Sequence, residues 1–158
     1  MGKPGGRATV RYARVPLDTE RLRTLRLRKG WSQHALSVKV GVQGAAAISA
    51  WERGVATPRP STLSRVAEVL GVEPSELLSV DHADGLALRE LRVSRGMSLK
   101  ELAEAANASS SAVRRWESGD FRKMPARDVV GALARALDVP VARVETALVL
   151  ARRMAKGA

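Results

Sequence analysis

The apolar residues of this chain recur in short helical sets that Gly, Asn and Pro separate. Leu22 and Leu25 form one set, with Asp18 ahead of it as an N-cap and Gly30 as its stop. Ser32 caps the next helix. Trp31 stands just before that cap and Leu36 four residues inside it, the spacing of a hydrophobic staple. Gly41 then supplies the left-handed residue that a tight turn between helices needs. A third set carries Ile48 and Trp51. A loop with Pro58 leads to an amphipathic helix over Ser61–Leu70, and Pro74 suits the first turn of a short last helix.

The same series returns later in the chain. An offset of 66 places Leu22, Arg23, Leu25, Arg26, Gly30, Ser32 and Leu36 on Leu88, Arg89, Leu91, Arg92, Gly96, Ser98 and Leu102. At 65, Trp51-Glu52-Arg53-Gly54 falls on Trp116-Glu117-Ser118-Gly119. At 67, Pro58, Val66, Ala67 and Leu70 fall on Pro125, Leu133, Ala134 and Leu137. The second copy adds Glu101, which completes an S-x-x-E capping box with Ser98, and has Asn107 at the turn. Its third helix carries Val113 and Trp116, its amphipathic helix spans Ala126–Leu137, and its last starts near Pro140. The fold class expected is all-α, two tandem five-helix domains. The boundaries are an arm over 1–16, domains over 17–80 and 85–148, a linker at 81–84 and a basic helical tail over 149–158. That division leaves no segment for a sensor or effector domain.

Charge narrows the partners. The 158 residues hold 27 Lys and Arg against 16 Asp and Glu, a net charge of +11. A small protein this basic usually meets a polyanion. Arg outnumbers Lys by 21 to 6, which also fits a GC-rich genome. The arm is +4, residues 17–80 are +3 and residues 81–158 are +4, so neither copy is acidic. With no cysteine, disulfides, thiolate metal sites and cysteine nucleophiles are excluded. No apolar run reaches the ~18 residues of a membrane span. A cytoplasmic, nucleoid-associated protein without a membrane partner is expected. His34 and His82, the two histidines, lack metal-ligand spacing, and no Gly-rich phosphate loop or nucleophile–base pair stands out. The chain is expected to be no enzyme and to need no cofactor.

Helix, tight turn and helix within a unit of about sixty residues is the architecture of a DNA-binding helix-turn-helix. Both copies resemble the Cro and phage-repressor (XRE) type of that motif, a lambda-repressor-like fold. The stretches that carry the resemblance are Leu25–Gly54 and Leu91–Gly119, with GWSQ…WERG and GMSLKELA…WESG. The resemblance implies two structural ion pairs between helices 1 and 3, Arg26 with Glu52 and Arg92 with Glu117. Ordinary solvated charges are the plain alternative.

It also implies that helix 3 enters the major groove of double-stranded DNA. In the second copy this sets Ser109, Ser110, Ser111 and Arg115 toward base edges and Arg114 toward phosphate. Arg forked onto guanine is worth ~1–3 kcal/mol of discrimination. Ser109 is equally suited to be a plain N-cap. The first copy has Gly44, Ala45, Ala46 and Ala50 at these positions and one extra residue between Gly41 and Trp51. Only Gln43 and Ser49 are polar there, with Gln33 and Arg53 placed for phosphate. The second copy has Leu99 in place of Gln33. Arg7 and Arg11, with Lys3 and Arg14, make a basic arm that either enters a minor groove or attracts DNA nonspecifically. Val10, Tyr12 and Val15 alternate with polar residues as in a short strand.

The function expected is a sequence-specific transcriptional regulator, a repressor of host or phage type. The second copy would supply most base specificity, and the first would add affinity or contact a protein. A homodimer, an antitoxin role and a protein-interaction role for the first copy stay open, as do the operator and the direction of regulation.

Overall fold

The computed structural model describes residues 15–80 and 85–157. They form two compact units, with the break between Ser79 and Val80. The first contains α1 (Thr19–Arg28), α2 (Gln33–Val40), α3 (Gly44–Glu52), α4 (Pro60–Leu70) and a 3-10 turn, η1 (Pro74–Leu77). The second contains α5 (Leu88–Ser94), α6 (Leu99–Ala105), α7 (Ser110–Ser118), α8 (Arg127–Leu137) and α9 (Val141–Gly157). Both are all-α. The pairing of extended backbone among the described residues is one isolated antiparallel bridge, Leu17 to Leu78. Val10 and Tyr12 of the expected strand, like Arg7 and Arg11, lie outside the described residues.

Capping fixes the helix starts. The Asp18 carboxylate accepts from the Arg21 amide at 2.9 Å, and the Ser32 hydroxyl from the Ala35 amide at 3.0 Å. These bonds satisfy amides that the first helical turn leaves without partners. Ser98 and Glu101 close the capping box reciprocally, at 3.1 and 2.6 Å. Between the second and third helices the chain passes through left-handed backbone, at Gly41 (φ 79) and Asn107 (φ 51).

Packing then closes each unit. In the first, Leu22, Leu36, Ile48, Leu63 and Leu77 are fully buried, one from each successive element. The ends of the unit are clipped together: Asp18 N donates to the Leu77 carbonyl at 2.8 Å and Ser79 N to the Pro16 carbonyl at 2.6 Å. In the second, Leu88, Leu102, Val113, Leu133, Leu137, Val144 and Leu148 share one core cluster. Each such buried Leu or Val contributes roughly 1.5–3 kcal/mol of transfer free energy. α9 packs against α8, α7 and α5. It is one continuous helix to Gly157, so the segment after Leu148 extends it, and Leu150 and Ala151 are buried.

Candidate nucleic-acid interface

The third helix of each unit is locked to the first by a bidentate ion pair. Arg26 Nε donates to Glu52 Oε1 at 2.6 Å and Nη2 to Oε2 at 3.0 Å, while Nη1 reaches the Trp31 carbonyl at 2.8 Å. Arg92 repeats this with Glu117 at 2.5 and 3.0 Å and with the Met97 carbonyl at 2.9 Å. One guanidinium thus ties α1 or α5 to the turn after it and to the end of the third helix. The side chains are nearly out of solvent, 8% and 6% exposed in the first pair, 9% and 0% in the second. Burial raises the Glu52 pKa. Its hydrogen bonds from Arg26 and Gln33, with the charges of Arg26 and Arg23, outweigh that and hold it below the ordinary value.

Gln33 is drawn into this network. Its amide donates to Glu52 Oε2 at 3.0 Å. The residue expected to touch phosphate therefore already has one structural partner. Leu99 at the matching place offers none.

The exposed faces of the two third helices differ. α7 presents Ser110, Ser111, Arg114 and Arg115 to solvent, with Val113 and Glu117 buried behind them. Spacings of one, three and four residues put the exposed four on one side of the helix. The Ser109 hydroxyl is the N-cap acceptor for the Ala112 amide at 3.1 Å. It starts α7, which commits its oxygen but leaves its proton.

α3 presents Ala45, Ala46 and Ala50 at the matching positions. Arg53 Nε lies 3.3 Å from both the Ser49 hydroxyl and the Ser49 carbonyl, so these two polar groups hold each other. The extra residue of the first copy is absorbed before the helix. Gln43 makes no capping bond there, and Gly44 takes φ 76.

The helix-turn-helix family model matches the chain twice, over residues 22–77 and 88–144. The chain belongs to that family, in its Cro/phage-repressor (XRE) form. A search of the curated proteins found no match, and neither did a search of the solved structures. Helix-turn-helix proteins of this type are DNA-binding regulators, so the faces of α3 and α7 are where contact with a duplex is to be sought. No helix among the described residues is long and apolar enough to cross a membrane.

Two further residues join the second helix-turn-helix face. Arg122 and Lys123, on the loop after α7, line a recess of about 540 Å3 with Arg115, Trp116, Asp120 and Phe121. The signal for them was present in the sequence. The chain from Gly119 to Pro125 is two residues longer than that from Gly54 to Pro58, and the longer loop carries Arg122 and Lys123.

Proposed function

We propose that this protein is a sequence-specific transcriptional repressor that grips double-stranded DNA through both helix-turn-helix units and reads bases mainly with the second. The observation that carries the reading is the exposed α7 face, where Arg115 stands beside Ser110 and Ser111 and continues into Arg122 and Lys123. A guanidinium on a groove-facing helix matches the guanine O6/N7 edge, and flanking cations suit phosphates.

The first unit's contribution is backbone affinity. Its α2 has no acid in the first turn, so the helix N-terminus is open to phosphate. The corresponding turn of α6 holds Glu101, kept below its ordinary pKa by the Ser98 backbone N–H and hydroxyl. The domains assigned are 17–80 and 85–148, with the arm before them adding nonspecific attraction through Arg7 and Arg11.

Binding-site selection from random duplexes with the full chain tests this. An enriched site, with Arg115→Ala losing roughly 1–3 kcal/mol of preference at one base pair, is the expected result. No enrichment over random DNA would sink it. The Ala45, Ala46 and Ala50 face of α3 favours a second reading, in which the first unit docks on a protein partner. Ala50→Glu separates the two. It weakens duplex binding if α3 faces DNA and leaves it unchanged if α3 faces a protein.

A further inference from the structure

We propose that the last turns of α9 form a strut that holds the basic loop after α7 in its DNA-facing position, with Arg152 as the positioning residue. This rests on the reading of α7 as the base-reading helix, but it concerns residues beyond the second family match, which ends at residue 144.

Two contacts carry it. The first is at the C-cap of α7. A Cβ built on Gly119 would lie 2.3 Å from the Ala151 carbonyl oxygen and 2.9 Å from Ala155 Cβ. α9 thus comes so close to the end of the reading helix that only glycine fits between them. The second is at the loop itself. The Arg152 guanidinium carbon lies 5.4 Å from the centre of the Phe121 ring, within the range of a cation–ring attraction. Phe121 lines the same recess as Arg115, Arg122 and Lys123. From Asp120 to Ala126 the backbone has neither helix nor strand. Ordering such a loop on binding would cost conformational entropy, and fixing it beforehand removes that cost.

Among the described residues of the first unit, the matching position has no such close approach. A Cβ on Gly54, the matching glycine, would meet Thr19 Cγ2 at an ordinary 3.8 Å. The strut therefore belongs to the unit that carries Arg115, where precise placement of cations matters.

The test uses the full-length protein with Arg152→Met, which keeps a long side chain on the helix but removes the charge, and Arg152→Lys as the conservative rescue. Amide hydrogen exchange over 119–126 is followed in the free protein. Affinity and salt dependence are measured on a random-sequence duplex and on one recovered by site selection. Arg152→Met is expected to speed exchange in the loop and weaken binding roughly 3–10-fold, and to lower the log–log salt slope only while Arg122 and Lys123 are present. The effect of Arg122→Ala should shrink in the Arg152→Met background, and Arg152→Lys should restore most of both signals.

A salt slope that Arg152→Met still lowers by about one in an Arg122→Ala/Lys123→Ala background would show that Arg152 touches phosphate itself and would overturn the positioning role. Unchanged exchange, or unchanged affinity, would overturn the strut while leaving the regulator reading intact. A wild-type chain that binds neither duplex would overturn the regulator reading and, with it, the DNA-facing role of the strut.

Discussion

Glu52 shows how one side chain fixes the attitude of the third helix of a unit. It accepts from Arg26 twice and from Gln33 once. Its folded-state pKa lies below the ordinary 4.5. Above that value both folded and unfolded chains are ionised, and the stabilisation is complete. As the pH falls, the unfolded chain takes up the proton first, and the stabilisation is lost on the way down through the folded value. Thermal melts between about pH 6 and pH 3 should therefore show the first unit weakening with acid, and Glu52→Gln should flatten that dependence. Arg26→Met at neutral pH is expected to cost about 3–5 kcal/mol, because it leaves a sheltered carboxylate without its partner. The two closing glycines make a second residue-scale comparison. Gly54→Ala should cost about 1–2 kcal/mol for left-handed backbone alone. Gly119→Ala should cost that and a further ~1–3 kcal/mol for the overlap with Ala151. Urea melts of the two variants check the difference.

Among the elements, the start of α7 decides how the Arg115 face is presented. Ser109→Ala removes the acceptor for the Ala112 amide and should destabilise the second unit by about 0.5–2 kcal/mol. Ser109→Asp keeps a capping oxygen and favours the helix N-terminus electrostatically, so stability should hold. Its negative charge beside the duplex should nevertheless weaken binding. A matched pair of melting curves and titrations separates capping from contact. Much of this element pattern was legible in the sequence. Asp18, Ser32 and Ser98 read as caps because their oxygens satisfy first-turn amides, and they stand in those positions. Gly41 and Asn107 read as left-handed for an equally local reason. The loop after α7 was not legible in this way. Arg122 and Lys123 belong to no periodic set, so only the packing of Phe121 shows which way they are carried.

For the whole molecule, the chemical difference between the two third helices predicts an asymmetric target. If both units dock from one chain, selected sites should show strong base preference over one half and weak preference over the other. Ala50→Arg should add a preference for guanine in the weak half, read as a new enriched position of roughly 1–3 kcal/mol. Arg122→Ala and Lys123→Ala should act differently, lowering affinity alike on all sequences and reducing the salt slope by about one each. A short palindrome recovered instead would mean that two chains meet through their second units.

The repeat, the helix order and the turn residues follow from sequence alone, because caps, staples and left-handed turns depend on neighbours within about five positions. The Arg–Glu partners could be named in advance, through the family resemblance carried by Leu25–Gly54 and Leu91–Gly119. Tertiary structure alone decided what those residues do to one another. It drew the Gln33 amide onto Glu52, where two helices converge on one carboxylate. It also ran α9 past Leu148 and set Ala151 against Gly119 and Arg152 against Phe121. These contacts join positions some thirty residues apart, and their geometry is set by how the helices of the second unit fill their common core.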